Sequence, residues 1–323
     1  MMTRLLCLTA LGLMGLVGSV DAATRHVRPG GTGTGADWST ACATVACAAR
    51  GDVVYLAGGS YGAMNFSNAA SGTTLITVKK ATLTDHGSDV GWNVAYAGQA
   101  VFDGGMDISS PYWLIDGQTG GGPGAWTTGF GFKAKTMADT VVSVSASNVT
   151  LRHIEAQGNG GGDDSNAQAQ DIFGIYDAAV SNVTLSYAYL YNSGRCIYFL
   201  RGSNLLFEYN YTGSHESTAG QHSELASIWA TVPDSPKNIT FRYSVFTWAE
   251  GTGGLIFDSV TAPSQPSLYV YGNVFAPVNG GFYEGGNNGT ISTWDSGGSG
   301  LNHARVFNNT FINAAKALGT NGN

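Results

Sequence analysis

Charge is scarce in this chain of 323 residues, with 15 Lys and Arg, 22 Asp and Glu, and only six lysines. A net charge of −7 excludes the basic face that tracking a phosphate backbone requires, so nucleic acid is not an expected partner. Low charge together with 43% apolar residues and 36 aromatics also excludes a disordered chain. Glycine is plentiful at 47 residues but keeps no period of three along the chain, which excludes collagen, and the Gly, Thr, Ser and Asn content excludes a protein of long helices. Long apolar runs are missing except between Leu5 and Val20. That run follows Arg4 and precedes the small-residue stretch Val20-Asp21-Ala22, so residues 1–22 read as a secretory signal peptide. An anchor helix is the competing reading, which Gly12, Gly15 and Gly18 weaken. Export predicts a secreted, periplasmic or cell-surface protein with no membrane contact after cleavage. Cysteine is sparse as well. Of the three cysteines beyond the signal, Cys42 and Cys47 can close a small loop and Cys196 sits in an apolar strand; no Cys or His pair matches them to make a zinc site.

What the chain does have is repetition. A nine-residue phrase recurs as Asn148 to Ala156 (NVTLRHIEA), Asn182 to Leu190 (NVTLSYAYL), Asn204 to Thr212 (NLLFEYNYT), Asn238 to Phe246 (NITFRYSVF) and Ser267 to Phe275 (SLYVYGNVF), with a weaker copy from Ala304 to Phe311. Its second and fourth places are apolar, the period of two expected of a strand with one buried face. The starts are 34, 22, 34 and 29 residues apart, so a unit of 22 is lengthened by insertions. Constant strands with variable connections mark a solenoid. A second apolar stretch lies between copies, at Ile172 to Tyr176, Cys196 to Leu200, Leu225 to Trp229 and Leu255 to Phe257, which gives each rung at least two strands. Asn210, Asn273 and Asn309 read as stacked corner residues, because Asn tolerates the left-handed backbone of a sharp turn. Asn65, Asn148, Asn182, Asn210, Asn238, Asn288 and Asn308 also precede Ser or Thr by two. The corner reading is preferred over glycosylation because most of these triplets fall inside the repeat.

The N-terminal portion adds Trp38-Ser39-Thr40-Ala41, an Ala-rich turn, Gly51-Asp52-Val53-Val54-Tyr55-Leu56 and Gly58-Gly59-Ser60-Tyr61-Gly62, followed by Thr73 to Val78 and Tyr112 to Gly117. With these motifs the chain resembles the pectate-lyase-like superfold of right-handed parallel β-helices from about Thr24 to its end. The resemblance implies an all-β, single-stranded solenoid forming one domain over 23–323, with an N-terminal cap at about 24–62 that includes a short capping helix between 39 and 50. Nothing after the last rung resembles a C-terminal cap, which predicts either a fragment or self-association through that rung.

The densest polar constellation contains Asp163, Asp164, Asp171, Arg195, Arg201, His215, Glu216, His222, Glu224, Arg242, Glu250 and Asp258. Asp171, Arg195 and Glu224 each stand just before the same apolar strand, so they are expected within one or two rungs of one another on one sheet edge. His222 and Glu224, two apart on a strand, suit a base with a carboxylate that orients it, and Arg195 suits a clamp on a substrate carboxylate or a structural bridge between Asp171 and Glu224. The candidate catalytic set is therefore His222, Glu224 and Arg195. Candidate substrate contacts are His215, Glu216, Arg201, Trp229, Trp248, Glu250 and Asp258, with Tyr198 and Tyr283 as further aromatic platforms. Asp163, Asp164 and Asp171 are candidate calcium ligands. His153 and Arg242 fall inside the repeat and read as ladder residues. Two enzyme families of this fold can be compared directly. The Asp pair of polygalacturonase-like hydrolases has a counterpart in Asp163 and Asp164, but their later Gly-His-Gly and Arg-Ile-Lys motifs do not. Alginate-lyase-like members match at Glu224, whereas Trp229 stands near their Lys position and Asp258 near their Arg position. The sequence thus points to a polysaccharide partner, with lyase, hydrolase, and non-catalytic binding or adhesion all left open.

Overall fold

A computed structural model describes residues 22–136, 140–159, 171–177, 179–213, 224–229, 237–247, 253–258, 267–276, 290–294, 303–313 and 317–321. The chain winds as a parallel β-helix. Strand by strand it visits three sheets in turn, and every pairing between described strands is parallel. The first sheet has ten strands, from Thr24–Val27 and Val53–Leu56 to Ser267–Tyr271 and His303–Phe307. The second and third have nine each, running from Gly59–Ser60 to Thr310–Phe311 and from Met64–Phe66 to Leu318–Asn321. Each rung therefore has three strands where the periodicity resolved two. The nine-residue phrase is itself bent: its first half forms the first-sheet strand Val149–Arg152 and its second half the second-sheet strand Ile154–Gln157.

Local chemistry explains the bend. The sixth residue of the phrase takes a left-handed backbone, at φ 57° for His153, 53° for Tyr187, 54° for Tyr209 and 52° for Tyr243, with Gly272 at 67° in the same place. For a side chain with a Cβ this costs roughly 1–2 kcal/mol. Stacking offsets part of that cost, since the rings of His153 and Tyr187 lie 4.8 Å apart at 5°, Tyr187 and Tyr209 5.2 Å at 4°, and Tyr209 and Tyr243 5.3 Å at 28°. The seventh residue points inward. Asn210 Oδ1 accepts from the Ala188 amide, Ser244 Oγ from the Asn210 amide, Asn273 Oδ1 from the Ser244 amide and Asn309 Oδ1 from the Asn273 amide, all at 2.7–3.0 Å. Asn210 and Asn273 are thus corner residues as expected, but they act as hydrogen-bonding plugs; the left-handed turn belongs to the residue before them. Asn148, Asn182, Asn204 and Asn238 do take the left-handed backbone, at the entrance to the first sheet. Their amides form an outer ladder with links of 3.0–3.1 Å. His153 is a stacking residue and Arg242 a ladder residue, paired with Glu208 at 2.5 Å just as Arg152 pairs with Asp116 at 2.7 Å.

Inside, one apolar column fills the solenoid. Phe246 stacks on Phe275 at 5.0 Å, and Phe275 on Phe311 at 5.0 Å. The N-terminal end departs from expectation. In place of a helix over 39–50 there is a single 3-10 turn, Val45–Cys47. Cys42 pairs in extended conformation with Val27, Ala48 is extended again, and a Cys42–Cys47 disulfide ties the two sides, so too few residues remain for an α-helical turn. Closure comes instead from buried Cys42, Val45 and Ala48, which join the core column, while Trp38 packs in a separate cluster with Tyr55, Ala57 and Ala81. The Arg50 guanidinium reinforces it by donating to the Ala69, Tyr112 and Asn68 carbonyls and to Ser110 Oγ.

Two stability predictions follow from the corner and the N-terminal end. Asn273→Ala leaves the Ser244 amide and the Phe241 carbonyl without their partners in the corner. Urea unfolding should show a loss of about 2–3 kcal/mol. His26 is buried against Trp38, and burial lowers its pKa below the ordinary value of 6.5. Above that value the ring is neutral in both folded and unfolded chains and contributes no pH dependence. Below it the unfolded chain takes up the proton first, so stability should fall as pH drops from about 6.5 toward the lower folded value. His26→Phe should flatten this slope in unfolding curves taken across that range.

Candidate functional site

The third sheet aligns the charged residues that the sequence singles out. Thr140 pairs in register with Asp171 and Asp171 with Arg195. Because Ile197 pairs with Ala226, the same register places Arg195 opposite Glu224, which pairs onward with Gly253. One row across four rungs therefore reads Thr140, Asp171, Arg195, Glu224, at the start of each strand. Successive members are about 4.8 Å apart along the solenoid, so Asp171 and Glu224 flank Arg195 at about 9.6 Å backbone separation.

Asp171 and Arg195 form a fork. Arg195 Nε donates to Asp171 Oδ1 at 2.6 Å and Nη2 to Oδ2 at 3.2 Å. Tyr176 adds a third donor, its hydroxyl bonding Oδ2 at 2.6 Å while lying 2.9 Å from Thr140 Oγ1. Tyr176 reaches back because Gly174 leaves room, since a Cβ there would meet the Tyr176 hydroxyl at 2.4 Å. On the other side the Arg195 guanidinium lies 4.1 Å from the Tyr198 ring centre. Burial is deep for such charged groups, with Asp171 4% and Glu224 1% exposed.

Burial raises the Asp171 pKa from its ordinary value, against the pull of Arg195 and Tyr176, and the Glu224 charge raises it further. Burial also works against the Arg195 charge, but Asp171 and Glu224 outweigh it and hold the guanidinium more firmly protonated than usual. The phenols of Tyr176 and Tyr198 are both pushed up, chiefly by burial. Perturbed titratable groups crowded at one sheet edge are a recognised mark of functional sites.

The connections point to the same edge. Three residues link Tyr191 to Arg195, whereas thirteen link Gln157 to Asp171, ten link Gly213 to Glu224 and fifteen link Phe275 to Ile291. The thirteen- and ten-residue connections thus enter the third sheet where the charged row begins, while connections of nineteen and fifteen residues join the first and second sheets, from Lys80 to Ala100 and from Asp116 to Phe132. Trp229 and Asp258 are adjacent in register at the other end of the same strands. Arg201 is half-buried and lies just past the strand Arg195–Phe199, away from the row. Asp163, Asp164, His215, Glu216, His222, Trp248, Glu250 and Tyr283 lie outside the described residues. Among the described residues no group of three His, Cys, Asp or Glu side chains can hold a metal ion, and Asp171 is engaged by Arg195 and Tyr176. The sequence reading missed Tyr176 and Thr140. Gly174, one strand position away from Tyr176 on the same face, was the available signal.

No family model and no curated protein matches the chain. Among solved structures it is similar to an alginate lyase from Paenibacillus sp. str. FPU-7, at 13% identity and a TM-score of 0.48, covering 92% of this chain and 99% of that one.

Breaking the fork tests its structural share. Arg195→Met strands the Asp171 carboxylate and should cost about 3–5 kcal/mol in urea unfolding, while the double variant Asp171→Asn/Arg195→Met should regain most of that loss.

Proposed function

We propose that this is a secreted polysaccharide-active protein that cleaves an extended glycan lying along the outer face of the third sheet. The observation that supports it best is the row Asp171, Arg195, Glu224, two carboxylates flanking one arginine where connections of thirteen and ten residues enter the third sheet. Parallel rungs present such groups along a straight line, which suits a linear polymer.

Hydrolysis fits this row better than β-elimination. Elimination from a uronate needs a cation to neutralise the substrate carboxylate, but Asp171 already takes two of the three Arg195 nitrogens and the row as a whole is negative. Hydrolysis needs two carboxyl groups in different protonation states, one acid and one base. The row supplies two carboxyls, one on either side of a single arginine. In this reading Glu224 meets the glycosidic bond or its attacking water. Arg195 and Asp171 position Glu224. No step is routed through calcium, because Asp171 is committed to Arg195.

Glu224→Gln should abolish release of reducing ends from a panel of neutral and uronate polysaccharides while leaving the circular dichroism spectrum and thermal midpoint in place. Unsaturated products from the native chain would assign elimination instead. Retention of glycan by the native chain without any cleavage would make the face a binding surface only.

A further inference from the structure

The second sheet has a cluster of its own, which the sequence reading passed over. On its outer face Lys133 pairs in register with Glu155 and Glu155 with Tyr189, and one step along Lys135 pairs with Gln157 and Gln157 with Tyr191. Lys133 Nζ lies 2.6 Å from Glu155 Oε1, the Tyr191 hydroxyl donates to the same oxygen at 2.6 Å, and Gln99 Nε2 donates to Oε2 at 3.1 Å. Tyr189 and Tyr191 stack at 4.3 Å and 12°.

One step further along these strands lies a cleft of about 360 Å³, lined by Asp103, Lys135, Gln157, Asn159 and Asn192. The volume falls within the ~300–1,000 Å³ usual for small-ligand sites. Lys135 and Asp103 are joined at 2.8 Å. Lys135 and Gln157 stand on strands, and Asn192 is held at φ 63° with its amide donating to the Gly158 carbonyl at 3.3 Å. The lining is therefore rigid, rich in carboxamides, and neutral overall. Each lysine is matched by a carboxylate, so a uronate or phosphate would face Asp103 and a cation would face Lys135. A neutral ligand dense in hydroxyls escapes both penalties and uses what is present: amides that donate and accept, and an ion pair offering both signs.

We propose that this cleft is a second glycan site, which takes a short stretch of neutral oligosaccharide. It stands on different residues from the third-sheet row and does not depend on that row cutting.

The test is isothermal titration calorimetry of the full chain with cellotetraose, mannotetraose and tetragalacturonate. It is repeated on Gln157→Ala/Asn192→Gly, where glycine keeps the left-handed backbone at 192. At least one neutral tetrasaccharide should bind the native chain, and the double substitution should weaken it tenfold or more with an unchanged thermal midpoint. Tetragalacturonate binding, if any, should be insensitive to the substitutions. If the double variant unfolds, Gln157→Ala alone is expected to show the weakening. The proposal is overturned if neither neutral sugar binds at millimolar concentration, if the folded variant binds it as well as the native chain does, or if tetragalacturonate weakens in parallel. Product assays on Glu224→Gln report only on the third-sheet reading, so the two can fail separately.

Discussion

The structure depends on how each rung satisfies the backbone at the corner between its first and second strands. A tight turn of this kind points an amide inward, where water cannot reach it, and a buried amide left alone is costly. Here the side chain of the next rung accepts it, from Ala188 to Asn210, Asn210 to Ser244, Ser244 to Asn273 and Asn273 to Asn309. Satisfying one rung therefore requires the next to be present and in register. From the Ala188 rung onward that requirement helps to hold the rungs in register, and the paired strands of the third sheet carry the alignment back to Asp171.

Scarce charge makes the placement of each ionic group informative. On the first sheet the ions form one-to-one pairs between neighbouring rungs, Asp116 with Arg152 and Glu208 with Arg242, each with a partly exposed arginine. The third-sheet row is different in kind. Its members are buried, two carboxylates share one cation, and Tyr176 and Tyr198 close around it. A sheet that needed only solubility would not bury this set, because desolvating charge is expensive even when it is paired.

Much of this was legible in the sequence, and the limits have physical causes. The apolar alternation at 148–156 and its copies located the strands, and the position of Asp171, Arg195 and Glu224 before equivalent apolar stretches located their shared edge. The third strand of each rung was invisible because pieces as short as Val245–Phe246 are too brief to show a period. The corner hidden inside the phrase was masked by Tyr187, Tyr209 and Tyr243, residues that rarely accept a left-handed backbone and do so here because their rings stack. The capping helix failed because extended pairing of Cys42 with Val27 competes with helix formation in an Ala-rich segment. Tyr176 and the cluster around Glu155 depend on side chains reaching between rungs, which a one-dimensional pattern does not encode.

The 22-residue unit, with its left-handed sixth place and inward seventh, carries its own instructions for docking onto the unit before it. A copied or deleted unit would leave every other junction unchanged, so length can evolve in whole rungs without redesign of the core. Each added unit would extend all three faces together by about 4.8 Å. In such a lineage the length of each face becomes a heritable count of repeats, selectable separately from the side chains presented at any one of them.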